Sequence, residues 1–220
     1  MSVVLSDIEE RHARNLGKRT IIGIQLYVVV WSFIVISTGF YRTNPYFSYL
    51  MLALLLTISL LRSIHFYYYE KLIKKNPKLN YRLLLYGIFL SVLVWSGLHI
   101  FFILNSSNVQ IKMLILITVA GFASGGCISY SPDRRISLIY ITTLLLPSVG
   151  VICLMKQEEI PLALIMLIYY VYLFFLVRKT NKEYWVALKN EIELERQSLT
   201  DVLTSLYNRR YFNKILEVEV

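Results

Sequence analysis

Apolar residues in this chain come in six long runs rather than in alternation, at 20–41, 46–69, 83–104, 111–130, 136–155 and 160–177. A helix needs roughly 20 largely apolar residues to cross the hydrocarbon of a bilayer. The pattern therefore predicts six transmembrane helices. The first run opens with IIGIQLYVVVWSFIVI; it is too long for a signal peptide, and no small-x-small cleavage site follows it. The second is interrupted by Arg62 and His65 and closes on Tyr67, Tyr68 and Tyr69 beside Glu70 and Lys71, which reads as an aromatic belt at headgroup level. Short polar connections, NSSNVQ, SPDRR and KQEE, separate the later runs, and a longer basic loop, KLIKKNPKLNYR, separates the second from the third.

Composition agrees with a membrane protein. Hydrophobic residues make up 56% of the chain and charged residues only 17%, against about a quarter charged in an ordinary soluble domain. The formal charge of +9 would suit nucleic acid. Its placement argues otherwise, because Lys and Arg collect in the gaps between apolar runs, where a membrane protein keeps its cytoplasmic charge. No nucleic-acid partner is expected; the bilayer is. Cys127 and Cys153 both lie inside apolar runs, so there is neither a disulfide framework nor a metal-ligand spacing.

Orientation follows from the same charges. With the tail 1–19 in the cytoplasm, only Arg42, Lys112 and Lys156 of the 23 Lys and Arg fall on the far side. An odd number of spans would spoil that asymmetry, so both termini are expected in the cytoplasm.

Ionisable groups at membrane depth are candidates for function. Arg62 and His65 lie three apart on one face of the second span, and His99 lies near the outer end of the third. Arg62 could equally snorkel to the headgroups, and His65 could simply bond a tyrosine or a carbonyl. Two histidines at opposite depths make a poor pair for one metal or haem, and no metal site is expected. None of the runs contains an acidic residue, which argues against a proton- or cation-coupled transporter. Gly121 and Gly125 form a small-xxx-small step in the fourth span, suited to packing inside the bundle or to a dimer interface. Pro147 lies in the middle of the fifth span, where a kink is expected.

After the sixth run the composition turns charged, and Gly and Pro vanish over 178–200. Trp185, Leu188, Ile192 and Leu199 keep a helical seam, with Glu195 where one more apolar residue would be expected. This reads as the sixth helix continuing into the cytoplasm as a linker with a weak coiled-coil seam. Next comes a Thr/Asp turn and a polar break, in which Asn208 can cap an amphipathic helix starting at Arg209.

The segment Asp201-Val-Leu203-Thr204-Ser-Leu206-Tyr-Asn208-Arg209-Arg210-Tyr-Phe212 closely resembles D-x-L-T-G-L-x-N-R-R-x-F, the opening signature of the GGDEF family of diguanylate cyclases. Ser205 stands where the family usually has Gly. The resemblance covers only the final segment, 201–220. Together with the apolar runs it implies an all-α membrane protein in which a six-helix transmembrane bundle, 20–177, is followed by a cytoplasmic signalling helix and the first residues of a GGDEF domain.

Such a cyclase joins two GTP molecules into cyclic di-GMP, and two domains must meet for the chemistry. The resemblance thus implies a membrane sensory and dimerisation module in a bacterial inner membrane. It would form a homodimer through its membrane helices and linker and respond to an unidentified signal ligand. Mg2+ and GTP would belong to the catalytic domain, whose metal- and guanine-binding residues follow the opening signature in the family. No catalytic residue maps onto this chain, and Asp201, Leu203, Thr204, Leu206, Asn208, Arg209, Arg210 and Phe212 are expected to be structural or coupling residues. The chain as printed is not expected to make cyclic di-GMP; it reads as a piece of a longer cyclase or as a short membrane protein with a vestigial tail. Other outputs stay open: a degenerate GGDEF domain ahead of a phosphodiesterase, a sensor histidine kinase, or a small transporter.

Overall fold

A computed structural model of the chain describes residues 2–155 and 157–199. Every regular element among them is a helix. These are α1 (Ser2–Thr20), α2 (Ile22–Ser37), α3 (Phe40–Thr43), α4 (Pro45–Tyr67), α5 (Tyr69–Lys75), α6 (Pro77–Asn105), α7 (Val109–Ser129), α8 (Arg134–Met155) and α9 (Ile160–Leu199), with a 3-10 turn at Gln157–Glu159 before α9. Six of the helical segments are long and apolar enough to cross a membrane. The chain is a multi-pass helical protein of the kind the apolar runs predict.

Local chemistry explains where the helices stop. Gly39 takes the left-handed conformation, φ 66°, that closes α2, and its amide donates to the Ile36 carbonyl. Pro45 and Pro77 each start a helix, where a missing amide hydrogen costs nothing. Asn76 caps α6 through Leu79 N, Asn108 caps α7 through Gln110 N, and Asp133 caps α8 through Arg135 N. Helix α8 runs through Pro147 as a single element.

The charged N-terminal segment, expected as a tail, is instead a helix that packs under the bundle. Leu16 is buried, and Gly17 lies so close to the Tyr69 ring that a Cβ there would overlap it. The Tyr69 hydroxyl donates to the Ala13 carbonyl (2.8 Å), and Arg14 pairs with Glu70 (3.2 Å). His12 meets the Pro132 carbonyl, and Arg19 donates to Ser131 Oγ (3.0 Å). The aromatic belt changes accordingly: Tyr67 and Tyr68 are exposed, while Tyr69 is buried against α1. The basic loop is also largely helical, since α5 and the first turns of α6 flank Asn76 and Pro77.

Contacts divide the chain into two units, 1–180 and 181–220. In the first, α6 occupies the centre and touches α4, α5, α7 and α8. Its buried positions Leu84, Ile88, Val92, Trp95, Leu98 and Phe102 recur every three or four residues, so one stripe meets several neighbours. Phe40, Phe47, Phe101 and Phe102 form an aromatic cluster at the Gly39 end, with Phe47 and Phe101 stacked at 4.4 Å. Outward-facing positions are apolar too: Val29, Phe33, Ile36, Ile165, Ile168 and Phe175 are each more than half exposed. A soluble protein would not spread such residues around its whole surface. Within lipid they face chains as apolar as themselves, so close packing and internal hydrogen bonds hold the bundle together.

Helix α9 buries Ala163, Met166, Leu173 and Val177 along one face. It is tied by two tyrosines: Tyr169 donates to the Ala120 carbonyl of α7 (2.8 Å), and Tyr170 pairs with Thr142 of α8 (3.0 Å). In the second unit, Leu188 is buried and Trp185, Ile192 and Glu195 are half-buried, whereas Val186, Lys189 and Leu194 are exposed. Tyr184, off that line, is buried as well, and the side chain of Leu199 lies outside the described residues.

Candidate functional site

Four helices bring polar groups together inside the bundle. Helix α4 supplies Arg62, α6 supplies Gly87, Ser91 and Trp95, α2 supplies Tyr27, and α8 supplies Tyr140. Arg62 is only 6% exposed. Its Nη1 donates to Ser91 Oγ at 3.2 Å, and Ser91 in turn donates to the Gly87 carbonyl at 2.8 Å. Gly87 is needed for this arrangement, since a Cβ there would sit 2.9 Å from Arg62 Cγ. One turn of α6 thus makes room for the arginine stem at residue 87 and anchors its head at residue 91.

The second half of the guanidinium has no such anchor. Arg62 Nη2 is fully buried and has no hydrogen-bond partner, and neither has Trp95 Nε1. The sequences of α2, α4, α6, α7 and α8 contain no Asp or Glu, so no carboxylate from these helices can neutralise the charge. Nearby, the Tyr27 and Tyr140 hydroxyls are hydrogen-bonded at 2.8 Å. Phe122 of α7 packs edge-on against Tyr27 (4.7 Å) and Trp95 (4.9 Å), and Gly126 lies flat against the Tyr140 ring. The interior therefore holds a buried cationic group on Ser91, an aromatic cluster of Tyr27, Trp95 and Phe122, and two unused donors.

A groove of about 370 Å³ between α4 and α6 leads to Arg62. Its walls are mostly apolar: Ile58, Leu61 and His65 come from α4, Tyr86 and Leu90 from α6, and Tyr68 from the end of α4. His65 Nε2–H donates to Asn80 Oδ1 at 2.8 Å, and its ring meets Tyr69 edge-on at 5.5 Å. Burial pushes the Tyr69 phenol up to about 12; Asn80 opposes that shift and Glu70 adds to it.

His99 occupies the other half of the molecule. It is 2% exposed and pairs through Nδ1 with Ser148 Oγ at 2.9 Å, next to Pro147. A cavity of about 260 Å³ beside it includes the Lys112–Glu159 ion pair (3.2 Å). A larger one of about 410 Å³ is lined by Thr38, Thr43, Asn44, Asn105, Ser106 and Asn108. Along α6, His99 is eight residues from Ser91, which is about 12 Å. Arg62 and His65 therefore share one groove, and His99 belongs to a different one.

Gly121 and Gly125 line a shallow groove of about 190 Å³ between α2 and α7, and nothing lies within 4 Å of a Cβ added at either. Neither is consumed by packing inside the bundle; Gly126 is the close-packed glycine of that segment. Among the described residues, no group of three or more His, Cys, Asp or Glu is placed to hold a metal. The motif residues Asp201, Leu203, Thr204, Leu206, Asn208, Arg209, Arg210 and Phe212 lie outside the described residues.

Sequence reading singled out Arg62 but missed Gly87 and Ser91, which hold it, and the buried Tyr27, Trp95 and Tyr140 of the bundle interior. Gly87 and Ser91 carry a faint signal, a small and a polar residue one helical turn apart in an apolar run. The tyrosines carry none, because tyrosine recurs throughout the chain. No protein-family model, curated protein or solved structure matches this chain.

Proposed function

We propose that the chain is the membrane-embedded sensory and dimerisation module of a bacterial diguanylate cyclase, lying in the inner membrane with both termini in the cytoplasm. The observation that carries this reading is α9, an unbroken helix over Ile160–Leu199, which the sequence follows through Thr200 with Asp201 and the D-x-L-T…N-R-R segment. A continuous helix resists bending and twisting, so a change in the bundle can be passed along it as rotation or displacement. The one-sided Lys and Arg distribution supports the orientation. Gly121 and Gly125, open on the bundle surface, offer one place for a second copy to approach.

In this reading the bundle has two states with different affinity for a signal, and the ratio between them sets how two output domains meet. Mg2+ and GTP act in the output domain, beyond the described residues. The test is a fusion of residues 1–200 to a complete GGDEF catalytic domain, with one to seven residues inserted after Glu193. Cyclic di-GMP in cells should rise and fall with insert length at the helical period of about 3.6 residues. Output that is indifferent to insert length would rule out transmission through α9.

A further inference from the structure

A buried arginine without a carboxylate is expensive. Taking a charge out of water is unfavourable unless hydrogen bonds or an opposite charge compensate. Arg62 has one bond to Ser91 and an orphaned Nη2, yet α6 is shaped to hold it there, with Gly87 clearing its stem. Snorkelling would have relieved the cost by carrying the head to the interface, but the side chain is 6% exposed. An anion arriving through the adjoining groove would supply both the missing acceptor and the missing charge.

The groove limits which anion that can be. Its walls are apolar and bordered by Tyr68 and Tyr86, so the entering molecule carries hydrocarbon. Arg62 lies five residues inside the end of α4 at Tyr67, about 7 Å below it. A phospholipid phosphate is tethered at headgroup level and would have to be drawn down into hydrocarbon. A carboxylic acid on a single chain sits lower and carries no polar glycerol group. Its two oxygens match the guanidinium fork, the geometry in which arginine binds carboxylates best.

We propose that the groove between α4 and α6 binds a long-chain fatty acid, its carboxylate on Arg62 and its chain along Ile58, Leu61 and Leu90. The fatty acid is then the kind of signal the sensory module reads, and that part rests on the function proposed above. Binding itself does not, and it can be measured on this chain alone.

The experiment uses the purified chain in phosphatidylcholine nanodiscs and a diazirine-bearing palmitic acid as probe. Labelling should concentrate on peptides of α4 and α6, and palmitate should compete it away while methyl palmitate does not. Arg62→Gln should weaken competition by palmitate about tenfold, the size expected for a lost charge-assisted pair, and Arg62→Lys should restore part of it. Because Arg62→Gln could disturb folding, Leu90→Trp provides a second variant. It fills the groove, leaves the guanidinium in place, and should abolish labelling at an unchanged melting temperature. Equal competition by methyl palmitate, equal competition by phosphatidylglycerol, or labelling spread evenly over all lipid-facing helices would each overturn the proposal. Such a failure leaves the insert-length dependence of the cyclase fusion untouched, so the two readings fall separately.

Discussion

Glycine 126 and glycine 121 are five residues apart on one helix and make opposite demands. A Cβ at Gly126 would strike the Tyr140 ring, whereas one at Gly121 meets nothing within 4 Å. Gly126→Ala should therefore lower stability by about 1–3 kcal/mol, the usual cost of overpacking, and Gly121→Ala should leave it unchanged. Thermal unfolding of the two variants in detergent checks both. The Tyr27–Tyr140 hydroxyl pair is buried and short, but hydrogen bonds between membrane helices average only about 0.6 kcal/mol in double-mutant cycles. A cycle with Tyr27→Phe and Tyr140→Phe should return a coupling of about that size; a value near zero would show that the pair contributes shape rather than energy. The packing role of Gly126 was not legible in sequence. The step Gly121-Phe-Ala-Ser-Gly125 drew notice because spacing is visible along a chain, while Gly126 depends on a ring supplied by another helix.

Helix starts fell within two residues of the apolar runs at Pro45, Val109 and Arg134, where a proline or an Asn or Asp cap stands at the edge of the run. Boundaries were misjudged where amphipathic helices continue past the apolar run, because hydropathy alone reports the membrane and not the helix. That is why α1 read as a tail and α5 as part of a loop. The consequence for α1 is testable. Its exposed Arg14–Glu70 pair should contribute little, within about 1 kcal/mol, so Glu70→Gln should scarcely release it. Tyr69→Phe removes the bond to Ala13 and should release it measurably more, as seen by protease access to the N-terminal helix. Alkali should act at the same point. The Tyr69 phenol ordinarily titrates near 10 and is held up to about 12 in the folded protein. Below pH 10 the group is neutral whether α1 is docked or free, and docking is at full strength. Between those two values the undocked form ionises first, so docking weakens as pH rises. In Tyr69→Phe that part of the alkaline slope should be missing.

For the whole molecule, six apolar runs were enough to set out six long apolar helices. The interior was not, since Arg62, Ser91, Tyr27 and Tyr140 come from four helices whose adjacency no run reveals. The proposed orientation makes a direct prediction. A reporter active only outside the cytoplasm should work when fused at Ser107 and fail when fused at Lys75, and the reverse result would invert the topology. Docking of α1 also has a bearing on how the protein is made. Its anchors are Tyr69, Ser131 and Pro132, which leave the ribosome long after Ala13 and His12. The first helix to be synthesised is thus the last of its neighbourhood to find its seat. Nascent chains stopped before residue 69 should leave it open to protease, chains reaching 133 should shield it, and for the interval between, assembly waits on translation.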